Sequence, residues 1–192
     1  MGQENQKEGK GKTNWLAMLG TPIAIIVAIV IIFIQSANNP VISVDGVEFK
    51  MRAHVDTLTD AGFEVVGDTS SLSGETYDYF YLEKDGVCYG KLAIYNVSTN
   101  SRDVSECQIG EFKVEADSAL YDGADKVTVN GLPATGMSES EAKENFGIER
   151  DDADDTAAHN KVGECSMILS YYDSASDVYK NCEITYDFGK AY

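Results

Sequence analysis

Proline, histidine and tryptophan are scarce in this chain, with three, two and one among 192 residues. Two histidines, neither near a cysteine in sequence, give no short-spaced ligand set for zinc. C-x-x-C, H-E-x-x-H, G-x-S-x-G, the P-loop and G-x-G-x-x-G are all missing, so no local signature announces a cofactor, a metal or an activated nucleophile. Positive charge is also short: 15 Lys and Arg stand against 32 Asp and Glu, for a formal net charge of -17. Such a chain is not a nucleic-acid binder that works by neutralising phosphates. Nor would its acidic part dock on an anionic lipid surface.

Charge disappears altogether over residues 15–34, WLAMLGTPIAIIVAIVIIFI. Twenty residues of helix rise about 30 Å, the thickness of a bilayer's hydrocarbon core. The run has no polar face, which a helix at the surface of a soluble domain would need. Trp15 stands where an aromatic ring favours the headgroup region, and Pro22 is placed to kink the first third. Lys7, Lys10 and Lys12 precede the run, and the next basic residue is Lys50. The positive-inside rule then puts the N-terminus in the cytoplasm and everything from Ala37 outside. A cleaved signal peptide has a shorter apolar stretch and a small-x-small site, which Gln35-Ser36-Ala37 supplies poorly. The expected organisation is a cytoplasmic tail at 1–14, a transmembrane helix at 15–36, a linker at 37–40 and an exterior domain beyond. The bilayer is therefore an expected partner, through residues 15–34, and the location is the cell membrane, single-pass. Beyond Ala37 lie 30 acidic and 12 basic residues.

In the exterior part, residues 41–51 alternate apolar and polar around Asp45-Gly46, a hairpin signal. Val55, Leu58 and Ala61 are spaced for one face of a short helix that Gly62 would end. Residues 77–82, 87–96 and 107–115 predict strands, the last with its alternation interrupted at Gly110. The pattern then restarts. At an offset of 85, Val44, Asp45, Gly46 and Val47 fall on Val129, Asn130, Gly131 and Leu132, and Gly62 falls on Gly147. A second helix is predicted over 138–146, with Ser138 and Glu141 spaced as a capping box. Strands at 166–172 and 179–188 follow. The predicted fold class is α+β: the transmembrane helix, then an extracytoplasmic domain of two similar half-modules, 41–118 and 119–192, each a short helix on an antiparallel sheet.

Cys88, Cys107, Cys165 and Cys182 all fall in the exterior part, where an even count suits disulfides. Four cysteines permit three connectivities, and pairing within each half is the simplest. Burial as small hydrophobes is the alternative. The run 149–155, ERDDADD, lacks the glycine and ligand order of an EF-hand and reads as a solvated loop. His54 is expected at the start of the first helix and His159 in an acidic loop. Asn96-Val97-Ser98 matches a glycosylation sequon. Tyr77, Tyr79 and Tyr81 alternate along one strand and so project from one face. They are the candidate recognition surface, since tyrosine joins apolar area to a polar tip.

The stretch from Val127, VTVNGLPATGMSESEAKENFG, with the Tyr-rich strands that close on ITYDFGK, resembles a module of small membrane-anchored exported proteins of Gram-positive, Clostridia-like bacteria. Gly136-Met137-Ser138 and Phe146-Gly147 carry the likeness. It is also similar to the helix-plus-sheet repeats of β-lactamase-inhibitor-like proteins. That resemblance implies an exported binding module rather than an enzyme. The expectation is a membrane-tethered, non-enzymatic module with an envelope protein as its partner. Two rivals are an extracytoplasmic enzyme, which requires a cavity uniting His54 or His159 with a carboxylate or serine, and an accessory or sensor subunit of a membrane complex.

Overall fold

The computed structural model describes residues 38–152 and 155–188. The tail at 1–14 and the apolar run at 15–34 lie outside the described residues. Among those that are described, no helix is long and apolar enough to cross a membrane.

The chain pairs first at its two Asx-Gly turns. β1 (Ile42–Val44) and β2 (Val47–Phe49) flank Asp45-Gly46, and β9 (Val127–Val129) and β10 (Leu132–Pro133) flank Asn130-Gly131. All four turn residues have positive φ, between 46° and 82°. A two-residue hairpin needs that backbone, and Asx-Gly supplies it at low cost. β1 and β9 pair antiparallel with Ser43 opposite Thr128, so the two hairpins form one sheet, ordered β10-β9-β1-β2.

The second sheet has eight strands. The first half supplies β3 (Glu64–Val66), β5 (Tyr77–Lys84), β6 (Val87–Tyr95) and β8 (Gln108–Glu115). The second supplies β11 (Met137–Ser138), β12 (Ala157–Val162), β13 (Cys165–Asp173) and β14 (Val178–Tyr186). They run β12-β13-β14-β8-β6-β5-β3, all antiparallel, with β11 beside β14. The short β4 (Ser71–Leu72) and β7 (Arg102–Asp103) pair apart from both sheets.

This corrects the expected α+β class. The described residues are mostly strand, and α-helix is confined to α1 (Asp56–Thr59) and α2 (Glu139–Phe146). α1 is one turn long because Thr57 and Thr59 are weak helix formers and Val55 offers no capping oxygen. α2 reaches two turns because both capping-box bonds form at Ser138 and Glu141, and Gly147 closes it at φ 63°. The halves do not keep separate sheets. β8 and β14, which would otherwise be exposed edges, pair with each other, and that union removes two open edges at once.

One register row shows where the core lies. Phe80, Leu92, Phe112, Ile184 and Met167 stand opposite one another on successive strands, and all five are buried. The small sheet covers this inner face, with Phe49 meeting Phe112 edge-on at 5.9 Å. Truncating a buried phenylalanine such as Phe112 costs about 3–5 kcal/mol. The opposite face of the large sheet carries the tyrosines.

Candidate interaction surface

Strand alternation sends Phe80 and Leu82 inward and Tyr77, Tyr79 and Tyr81 outward. The three tyrosines are 36%, 42% and 37% exposed. Sequence periodicity alone predicted that they share a face. It did not show what surrounds them.

Tyr77 faces Tyr95 across the β5–β6 pairing, and the rings stack at 4.9 Å with 15° between their planes. Tyr95 packs on Phe188 at 4.7 Å, and Phe188 on Tyr186 at 5.0 Å. Arg52 lies over the Tyr186 ring at 5.1 Å and donates to its hydroxyl at 3.3 Å. Tyr79 meets Tyr77 edge-on at 5.7 Å, with the Lys91 ammonium 3.9 Å from its ring centre. Tyr81 continues the strip toward Tyr121 at 6.4 Å. The strip therefore crosses strands, and it depends on a glycine. A Cβ on Gly110 would sit 2.4 Å from Tyr95 and 2.7 Å from Phe188. The β6–β8 register shifts between Ala93 and Ile94, opposite this glycine. The break in alternation at Gly110 is the space the rings occupy.

Charges lie in the next rows. Tyr81, Lys91, Lys113, Glu183, Ile168 and His159 form one outward row, and Tyr79, Ala93, Glu111, Thr185, Ser166 and Lys161 another. Burial pushes the Glu111 carboxyl above its ordinary range, and Glu183 adds to that while Lys91 and Lys113 oppose it. Burial likewise raises the Tyr79 hydroxyl, helped by Glu111. The Lys113 ammonium is held charged by Glu115 at 2.8 Å. The result is an aromatic strip bordered by half-buried charges of both signs, the composition of a protein-recognition patch.

A cavity of about 320 Å³ opens beside the strip, lined by Tyr95, His54, Ser98, Arg102, Glu106 and Cys107 among others. It brings a histidine, a serine and a carboxylate together. The hydrogen bonds point elsewhere, however. His54 Nδ1 is 3.1 Å from the Glu106 carbonyl, so the ring donates there. The Ser98 hydroxyl donates to the Asn100 carbonyl at 2.7 Å, and the Cys107 thiol donates to the Asp103 carbonyl at 3.3 Å. Burial raises the Cys107 thiol, which keeps it protonated. Neither the hydroxyl nor the thiol is aimed at His54. Gln108 Oε1, at the same cavity, is buried with no hydrogen-bond partner among the described residues.

Other expected sites fall as follows. His159 lies on β12 rather than in a loop, exposed on the outward face and far from His54. Asn96 is 2% exposed, and its amide donates to the carbonyls of Leu72, Ser73 and Asn100. It is a clamp between loops, so the sequon is occluded. All four cysteines are free thiols. Cys165 stands opposite Tyr186 and Cys182 opposite Leu169, which sets the second-half pair about 13 Å apart along the strands, beyond disulfide reach. Cys88 and Cys107 sit at opposite ends of β6 and are farther apart still. Burial raises Cys165 to about 11 and Cys182 to about 12. In the acidic run, Glu149 pairs with Lys143 and Arg150 with Glu139. Among the described residues, no three His, Cys, Asp or Glu side chains gather as a metal site.

Sequence reasoning missed Tyr95, Tyr121, Phe188 and Arg52, whose roles come from cross-strand neighbours rather than local pattern. Tyr171, one of the tyrosines that enrich the second half of the sequence, is 68% exposed with φ 55°. Comparison of the chain with protein-family models, with curated proteins and with solved structures found no match.

Proposed function

We propose that this protein is a non-enzymatic binding module, held outside the cell by the apolar run at 15–34, that captures an envelope protein on the tyrosine face of its large sheet. The observation that carries the reading is the exposure of Tyr77, Tyr79 and Tyr81 on a face where Tyr95, Phe188 and Gly110 hold the rings in place. Exposed aromatic rings fixed by packing lose little entropy on binding, and such residues dominate interface energies. The likeness of Gly136-Met137-Ser138 and Phe146-Gly147 to exported modules supports the same placement. At the His54 cavity, the hydroxyl and thiol donate to backbone carbonyls, which favours binding over catalysis.

A photoreactive phenylalanine analogue at position 79, in intact cells, tests this. The expected result is a discrete cross-linked envelope partner, absent when the analogue replaces Ser170 at the far end of the sheet. Cross-links to cytosolic proteins from position 79, or none from either position, would overturn the reading.

A further inference from the structure

Two strands near opposite edges of the large sheet are treated differently. β5 and β12 each lead through a two-residue turn into the next strand, at Asp85-Gly86 and Gly163-Glu164. Counted back from those turns, Tyr81, Leu82 and Glu83 correspond to His159, Asn160 and Lys161. The first three are covered by β3. Along the second three, no strand of the described residues pairs on the outer side.

The chain that would cover them is identifiable. The offset that carries Gly62 to Gly147, both at positive φ, carries Glu64–Val66 to Glu149, Arg150 and Asp151. In place of two valines stand Arg150 and Asp151, and Arg150 is drawn elsewhere. Its guanidinium binds Glu139 through Nε at 3.1 Å and Nη2 at 2.9 Å, and lies 3.8 Å from the Tyr172 ring. The segment therefore turns back toward α2 instead of lying along β12.

A two-residue turn makes Val162 and Cys165 a hydrogen-bonded pair, so the even residues of β12 face β13. The N–H and C=O groups of Ala157, His159 and Lys161 then point to the open edge. The Lys161 N–H is capped by the Asn160 side chain at 2.8 Å, which blunts one end of the edge. Ala157 and His159 are exposed.

We propose that β12 is a docking edge for an extended peptide with basic residues at its C-terminal end. An added strand would run antiparallel, like the rest of the sheet, and pair with Ala157 to Lys161. Its C-terminal end then passes Asp155, Asp152 and Asp151, all exposed. In an antiparallel pair with a second copy, each acidic run would meet only Lys161 and then the Gly163-Glu164 turn, one basic residue beside another carboxylate, so a peptide carrying several basic residues is the better complement. The edge lies five strands from β5, about 24 Å, so this site is separate from the tyrosine face.

The probe is a peptide of three Thr-Val repeats followed by Lys-Arg-Lys, titrated onto the full chain in detergent micelles and followed by amide hydrogen exchange. Exchange at Ala157 and His159 slows at least tenfold at saturation. A peptide ending in three glutamates binds at least tenfold more weakly. The surface variant D151N/D152N/D155N also loses about tenfold in affinity, as does Ala157→Pro, whereas Tyr79→Ala changes nothing. The proposal is overturned if those two amides keep their exchange rates at saturating peptide. Equal binding of the basic and acidic peptides overturns it too, as does protection of both amides by self-association without peptide.

Discussion

The outward face of the large sheet has two unlike ends. At the β5–β6 end, Tyr77, Tyr79 and Tyr95 touch one another, Phe188 closes over them, and Lys91 covers a ring. At the β12–β13 end the outward positions are Ser166, Ile168, Ser170, Ala157, His159 and Lys161. Both ends rest on the same buried inner row, so the difference is not about folding. Small polar side chains on a solvated sheet face cost nothing. An exposed aromatic strip invites association. The contrast sets an aromatic face at one end against outward side chains with no aromatic strip at the other, which makes those side chains the control for the proposed tyrosine face.

The sharpest way to break the contrast is Gly110→Val. The new side chain must displace Tyr95 and Phe188, at about 3 kcal/mol of stability, read by chemical denaturation, and partner binding goes with it. Ser170→Val at the other end should stay within about 0.5 kcal/mol of wild type. Tyr79→Ala comes next. It leaves the fold intact and weakens partner binding by about 2 kcal/mol, measured by calorimetry once the partner is captured, while Ser166→Ala has no measurable effect.

A smaller effect separates the halves. Ser138→Ala removes the capping box of α2 and costs about 1 kcal/mol, whereas Val55→Ala at the α1 cap position removes no cap bond and acts through lost packing alone.

The smallest expected effect is at Glu111. Its carboxyl is raised by burial and by Glu183, so the fold prefers it protonated. That preference contributes fully below the unfolded-state pKa and is lost as pH rises through the folded one. Glu111→Gln should therefore raise the melting temperature at pH 7, and the gap to wild type should close near pH 3.

Much of this arrangement was legible in the sequence where chemistry is local. The Asx-Gly hairpins, the Ser138–Glu141 box and the shared face of the three tyrosines each follow from a few adjacent residues. The α+β expectation failed where long-range pairing decides. Nothing in residues 108–115 or 178–186 says that those strands choose each other. AAHNKV carries little strand propensity of its own, and pairing with β13 makes it a strand, which is why His159 lies on β12 and not in a loop. The aromatic strip was half visible. Gly110 marked a gap in the pattern, but the rings that fill it arrive from 15 residues upstream and 78 downstream.

Hydroxyl-radical footprinting of the tyrosines, in intact cells and in purified full-length protein, tests the account most directly. Tyr171, on β13, is more exposed than any tyrosine of the strip and serves as the reference. The account predicts that Tyr77, Tyr79 and Tyr81 are oxidised several-fold less in cells than in the purified chain, while Tyr171 reacts equally in both. Equal oxidation of Tyr79 in cells and in isolation would contradict it.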